Sequence, residues 1–272
     1  MTGETINSRR NPLAQRARAV RDGREKELVF VEGVRLCEDA LRASVTFEAV
    51  LYTRSLAGDG RGASLLKGLR EVCRNTHAVS EDVLESVSDT KTPQGVLALA
   101  RRPETGRERV ERAAGVPLVV VMHGANNPAN AGAVLRVAEA AGATGVILTK
   151  GSTDPLSPKG LRGSMGSAFR MPLWTGPTLA EALGWCAEKG IRTAATSAAA
   201  TCLHTEIDWT TPRAVVLGPE AGGLTEEELR ATDEAVRIPM REPVESLNLA
   251  TALAVVLYEA ARQRGFPLSP RP

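Results

Sequence analysis

The chain has 272 residues, of which 43% are hydrophobic and 24% charged, with a formal net charge of +2. That is apolar material enough for two ordinary domains, and too little net charge for a polycation that would coat nucleic acid over its whole surface. Aromatic residues make up only 3%, which argues against a base-stacking platform as the main mode of nucleic-acid binding, and no apolar run approaches the roughly 20 residues of a membrane span.

In chain order, the first signal is charge. Residues 1–24 hold Arg9, Arg10, Arg16, Arg18, Arg21 and Arg24 against Glu4 and Asp22, a local excess suited to a phosphate backbone and incompatible with the apolar core of a signal peptide. Short β-like runs at 28–31, 47–52, 77–79 and 95–100 then alternate with helix-like segments such as GVRLCEDALRA, predicting an α/β module. The stretch RRPETGRERVERAAG, charged and carrying Pro103 and Gly106, reads as a linker and divides the chain into domains 1–105 and 106–272. Beyond it, strands are expected at 118–122, 145–149, 191–196, 214–217 and 235–239, separated by helical patterns. This is a second α/β domain with a mainly parallel sheet. Cys37, Cys73, Cys186 and Cys202 have neither zinc-site spacing nor the density of a disulfide scaffold, so the expectation is a reducing cytoplasm and no metal.

Open parallel sheets bind ligands in loops beyond the carboxyl ends of their strands, and three such loops carry unusual polar residues. In VVVMHGANNPANAGAVLRVAEAAGA a strand leads through an asparagine-rich loop into a helix; Asn130 reads as its N-cap, and Arg136 sits further along among apolar and alanine neighbours. In AVVLGPEAGGLTEEEL, Thr225 and Glu228 have capping-box spacing, whereas Glu220 stands alone among small residues just past the strand end. In IPMREPVESLNLATALAVVLYEA, Glu245, Ser246 and Asn248 crowd the entry of a helix that is apolar on all sides and therefore expected to be buried. With Ser246 as N-cap, Leu249 would fall where a capping box needs Glu or Gln, so the orphan amides at a buried mouth would invite a ligand. A fourth segment, SPKGLRGSMGSAFRMP, offers Ser157 and Pro158 as a helix start, a glycine face at Gly160, Gly163 and Gly166, and Lys159, Arg162 and Ser164 as phosphate-binding candidates. No GxGxxG occurs, which disfavours a dinucleotide-dependent oxidoreductase.

NPANAGAVLR, LGPEAGGL and IPMREPVESLNLATA, in this order and at these separations, resemble the three motifs of the SpoU (TrmH-type) family of RNA ribose 2′-O-methyltransferases, in the SPOUT superfamily. SRRNPLAQR, FVEGVRLCEDAL and SDTKTPQGVLALA likewise resemble the family's accessory substrate-binding domain, related to a ribosomal-protein fold. The chain departs from the family pattern at Asn127, where many relatives have Asp, and at REPVES, where a glycine is common after Pro-Met.

The resemblance implies a deep trefoil knot in the C-terminal α/β domain, a homodimer with shared active sites, and an RNA substrate, with 23S ribosomal RNA favoured over transfer RNA. It implies S-adenosylmethionine as cofactor, held around Leu217, Gly218, Ile238, Met240 and Leu247, and Asn130, Arg136, Glu220, Ser246 and Asn248 as catalytic residues. On this reading Arg136 anchors phosphate and stabilises charge, because an arginine pKa above about 12 opposes its use as a base. Ser246 or Asn248 orients the hydroxyl, and His123 is an alternative base at the end of the first strand. Arg9, Arg10, Arg16, Lys159, Arg162 and Ser164 are the expected RNA contacts. A non-catalytic RNA-binding relative is the rival reading, disfavoured because every polar motif residue is present.

Overall fold

The computed structural model describes residues 5–58 and 60–266; Glu4, counted in the N-terminal charge excess, lies outside them. Two compact units form. One comprises Met1–Pro103 with Pro155–Arg170, the other Glu104–Asp154 with Met171–Pro272. The linker reading at residue 105 thus falls within two residues of the first boundary. The second unit is not continuous in sequence, however, because 155–170 packs with the first, and a cut at 105 would strip that segment of its partners.

The first unit is a four-stranded sheet in the order β1-β4-β2-β3, built from β1 (Leu28–Glu32), β2 (Phe47–Thr53), β3 (Thr76–Val79) and β4 (Val96–Arg101). β4 runs antiparallel to β1 and β2, and β2 is parallel to β3. Ile6 extends the edge by pairing in parallel with Val79. The helices are α1 (Pro12–Arg21), α2 (Val34–Arg42), α3 (Arg54–Ala57), α4 (Gly60–Val72) and α5 (Glu81–Val87). α1 starts as its sequence dictates, with Pro12 in the first turn and the Asn11 side chain accepting from the Leu13 amide. Its Ala14, Ala17 and Val20 lie on one face and bury against Phe30, Leu51 and Val83.

The second unit opens with α6 (Arg107–Glu111) and carries a seven-stranded, wholly parallel sheet in the order β7-β6-β5-β10-β8-β11-β9. Its strands are β5 (Leu118–Met122), β6 (Gly145–Leu148), β7 (Leu173–Thr175), β8 (Arg192–Thr196), β9 (Cys202–Leu203), β10 (Arg213–Leu217) and β11 (Glu234–Arg237). The helices are α7 (Pro128–Ala140), then α8 (Pro158–Ser164) and α9 (Ser167–Arg170) in the segment that joins the first unit, then α10 (Leu179–Glu188), α11 (Glu226–Arg230) and α12 (Leu249–Gln263). β5 and β10 are buried along their whole length, as central parallel strands covered on both faces must be. Each buried Val, Leu or Ile contributes ~1.5–3 kcal/mol. An exposed helical ion pair such as Arg230–Glu226 contributes at most about 1. The core therefore sets the stability.

β7 and β9 have no counterpart among the expected strands; at three and two residues they are too short to show a period. α12 also differs from expectation. Its Leu253, Val256, Leu257 and Ala260 are buried, but Thr251, Val255 and Tyr258 are exposed, so the helix has a bare apolar stripe. Likewise α8 ends at Ser164, with Met165 and Gly166 both at positive φ, so Gly166 is a break and not part of a glycine face.

α6 is tied to α10 through Glu111, which accepts from Arg107 Nε at 2.8 Å and Trp185 Nε1 at 2.9 Å and pairs with Lys189 Nζ at 3.2 Å. These contacts, Arg107 foremost, hold its carboxyl at about 2 against an ordinary 4.5. Glu259, bonded to Arg262 and Gln263, is likewise lowered to about 2. A depressed folded-state pKa adds stability above the unfolded value that is lost as pH falls through the folded one. The melting temperature is therefore expected to decline between pH 4.5 and 2, and Glu111→Gln is expected to make that decline shallower; a variant with the wild-type slope would contradict the assignment.

Candidate active site

Three loops at the carboxyl ends of the parallel strands converge on one cavity of about 700 Å³, the size range of small-molecule and cofactor sites. They follow β8, β10 and β11, and the first turn of α7, after β5, adds Asn130 as a fourth side. Leu217, Gly218, Ile238, Met240 and Leu247, the residues assigned to the cofactor, all line it. So do Asn130, Glu220, Ser246 and Asn248. The loop after β8, Thr196 to Ala199, also lines the cavity and was missed: it bears only small side chains, and its one signal is its place after a parallel strand.

The polar residues form a relay. Asn130 Nδ2 donates to Glu220 Oε1 at 2.8 Å, and Asn248 Nδ2 donates to Asn130 Oδ1 at 3.4 Å, a long and weaker bond. Asn248 Oδ1 then accepts from the Ala250 amide and caps α12. Both ends of the Asn130 amide are thereby committed, which fixes its orientation. Two cap expectations are corrected here. Asn127, not Asn130, caps α7, because its side chain accepts from the Ala129 amide; Asn248, not Ser246, caps α12. Nor is the mouth of α12 buried: residues 241–248 are exposed.

Gly218 marks the tightest point of the loop after β10. A Cβ there would lie 2.5 Å from the Leu224 amide nitrogen, so only glycine lets the loop fold back on itself. Gly222 and Gly223 have φ of 88° and 67° and nothing within 4 Å of a would-be Cβ, leaving their backbone open to a bound group. Apolar walls from Leu217, Ile238 and Leu247 beside an open glycine backbone and the Glu220 and Glu245 carboxylates fit S-adenosylmethionine, which has a flat base, polar ends and a cationic sulfonium.

The Thr225–Glu228 capping box is present, and Glu228 also pairs with His123 Nε2 at 2.9 Å. The Thr225 backbone amide first, then its hydroxyl and His123, hold Glu228 below the usual carboxylate range. His123 Nδ1 is 2.9 Å from Thr149 Oγ1, so both ring nitrogens are occupied. It ties the end of β5 to Thr149 after β6 and to α11. Arg136 is exposed on α7, off the cavity wall, and its guanidinium has no hydrogen bond or ion pair among the described residues.

The expected RNA contacts fare unequally. Arg9 and Arg10 are exposed, as is Lys159. Arg16 is paired with Glu25 at 3.0 Å. Arg162 is bonded to Asp89 at 2.6 Å and lies 3.9 Å from buried Glu32, so its charge is committed inside the unit. Ser164 is fully buried and donates to the Leu161 carbonyl at 2.9 Å, which removes it as a phosphate contact. Among the described residues no group of three His, Cys, Asp or Glu side chains is placed to hold a metal.

Residues 117–258 match the SpoU rRNA Methylase family and residues 13–98 the MRM3-like substrate binding domain. The chain is 34% identical over 96% of its length to an uncharacterized tRNA/rRNA methyltransferase of Synechocystis, covering 94% of that protein. It is 27% identical over 89% of its length to the 23S rRNA (guanosine-2′-O-)-methyltransferase RlmB of Shewanella oneidensis, covering 99% of it. The crystal structure of the SpoU methyltransferase AviRb from Streptomyces viridochromogenes with AdoMet superposes with a TM-score of 0.82 at 27% identity, over 94% of this chain and 98% of that one. The cavity, its three motif loops and these matches agree, and the chain belongs to the SpoU family of RNA methyltransferases.

Proposed function

We propose that the protein methylates a ribose 2′-hydroxyl of ribosomal RNA, with the 23S molecule as substrate, using S-adenosylmethionine bound in the cavity of the second unit. The observation that carries this reading is the junction of the three motif loops at one cavity, with Asn130, Glu220, Ser246 and Asn248 on its wall. The cofactor supplies an electrophilic methyl group. The chain's part is positioning: a hydroxyl held in line with that methyl needs little further chemistry, and a fixed geometry is worth several powers of ten in rate. The relay through Asn130 orients the Glu220 carboxylate, and the Ser246 hydroxyl and free Asn248 amide hydrogen stand where a ribose hydroxyl would be oriented. The resemblance of both units to 23S methyltransferases favours ribosomal over transfer RNA. The same membership supports a trefoil knot around the cofactor loops and a cytoplasmic setting; among the described residues no helix is long and apolar enough to cross a membrane.

The working form is a homodimer. Val255 and Tyr258, 36% and 49% exposed, form an apolar stripe on α12, and the adjoining α7 presents Ala133, Val137 and Ala140 beside Arg136. Pairing these faces buries the stripe and carries the Arg136 of one protomer to the cavity of its partner, where a planar, permanently charged fork suits the phosphate next to the reacting ribose.

Two predictions follow from this arrangement. Arg136→Ala should leave the melting temperature near wild type, since an exposed, unpaired side chain contributes within about 0.5 kcal/mol. Single-turnover methyl transfer should fall by about 10²-fold or more, with cofactor affinity unchanged and poor rescue by Lys. An alanine variant with wild-type rates would remove Arg136 from the reaction. Second, mixing Arg136→Ala with Glu220→Ala, each inactive alone, should restore roughly a quarter of wild-type activity, because half the dimers are mixed and each has one intact site. Dimers with no recovered activity would mean that sites are not shared, and a monomer by sedimentation would remove the dimer itself.

A further inference from the structure

The arginine-rich helix α1 is the obvious place for RNA to bind the first unit, but the structure uses most of its charge internally. Arg16 pairs with Glu25, and Arg24 with Asp22 at 2.8 Å. Arg18 donates to the Arg9 carbonyl and to Ser86 Oγ, and Arg21 donates to the Val87 and Ser88 carbonyls. Four of the six N-terminal arginines thus hold α1 and its neighbours in place.

Free charge lies elsewhere. β1, β2 and β3 run in one direction and β4 against them, and Ile6 pairs in parallel with Val79. One end of the sheet therefore gathers the residues after β1, β2, β3 and Ile6 together with the turn before β4. Arg35 follows β1 there, Arg54 follows β2, and Lys91 lies in the turn before β4, folded onto β1 by the bonds of Asp89 and Thr90 to Glu32 and of Gln94 to the Val34 amide. All three are exposed, and none has a hydrogen bond or ion pair among the described residues. Arg54 lines a cavity of about 380 Å³ with Asn7, Ser80 and Glu81. Beyond Asn7 the chain reaches Arg9 and Arg10, whose side chains are free while their carbonyls are held by Arg18 and Gln15.

The acids at this end do not cancel the charge. Glu32 accepts from Thr90 and the Asp89 amide, Asp89 is held by Arg162, and Glu38 is held by Arg61 and Arg42. Glu81 accepts from Ser55 Oγ at 2.7 Å and keeps its charge on the cavity wall it shares with Arg54, one acid against Arg9, Arg10, Arg35, Arg54 and Lys91. Base stacking has no platform here. Phe30, Phe47 and Phe169 are buried, and Tyr52 lies under Arg70, whose guanidinium carbon is 5.2 Å from the ring centroid. A sheet end four strand spacings wide, counting Ile6, spans about 19 Å, room for several consecutive phosphates.

We infer that the first unit grips its RNA by phosphates along this sheet end, with Arg35, Arg54 and Lys91 as contacts, and not along α1. The inference rests on the proposed RNA substrate and names the surface that holds it. Guanidinium and ammonium groups with no internal partner are what backbone contacts require, and such contacts position the RNA without reading its sequence.

The test is binding of the full-length protein to a large-subunit ribosomal RNA transcript across a potassium chloride series. The triple variant Arg35→Gln, Arg54→Gln, Lys91→Gln is compared with a control pair, Arg16→Gln on α1 and Arg24→Gln just beyond it. Each phosphate contact adds about 0.7 to 0.9 to the slope of log affinity against log salt, so the triple variant should lose about two units of slope and bind more weakly. Melting temperature should match wild type in the triple variant, and calorimetric affinity for S-adenosylmethionine should match it in both. A triple variant with the wild-type slope, or a control pair that loses more, would overturn the surface. Methyl transfer by the wild type is scored separately: steep, salt-dependent binding without methylation would remove the enzymatic reading and leave the surface standing.

Discussion

The hydrogen bond from Asn130 Nδ2 to Glu220 Oε1, 2.8 Å long, joins residues 90 apart in sequence, and the site's geometry depends on it. It ties the first turn of α7, which leaves β5, to the loop that leaves β10, its neighbour in the sheet. Through Asn248 the same amide is linked to the cap of α12. Parallel β5 and β10, with Val119 beside Ala214 and Met122 beside Leu217, bring the two loops to one level. The relay then sets the angle of each polar group. A single asparagine can do this because it offers a donor and an acceptor on one rigid plane, and both are used.

The site was legible in the sequence where a residue type had no good structural explanation. Glu220 among small residues and Asn248 in an overcrowded helix entry drew attention for that reason, and both lie on the cavity wall. What stayed hidden was what depends on pairing at a distance. Which asparagine caps α7 turns on geometry that Asn127 and Asn130 offer equally in sequence. The loop after β8 carries only Thr, Ser and Ala, so nothing in its chemistry announces a ligand. For the fold, long apolar runs such as Leu118–Met122 showed their strands clearly, while Cys202–Leu203 is defined only by a partner strand. The exposed stripe of α12 reads as core in sequence because Val255 and Tyr258 have the residue types of an interior and only packing distinguishes the bare face from the buried one.

Charge was the least reliable guide. Six arginines near the N-terminus suggested a nucleic-acid-binding arm, yet four of them bond to carboxylates, carbonyls or a serine within their own unit. Arg162 likewise goes to Asp89. Arg136 is the opposite case, a cation in apolar surroundings that the structure leaves exposed and without a partner among the described residues. A guanidinium used structurally carries its partners in the same chain. An unpaired one is free to meet a ligand, and the sequence does not distinguish the two.

The central claim is that this cavity delivers a methyl group to a ribose hydroxyl of ribosomal RNA. The most direct measurement is mass spectrometry of nucleosides from a 23S transcript and, in a parallel reaction, from transfer RNA, each incubated with the protein and S-adenosylmethionine carrying a deuterated methyl group. The account predicts a labelled 2′-O-methylnucleoside at one position, absent when the cofactor is replaced by S-adenosylhomocysteine. Label on a base instead of a ribose, or label in transfer RNA alone, would contradict it.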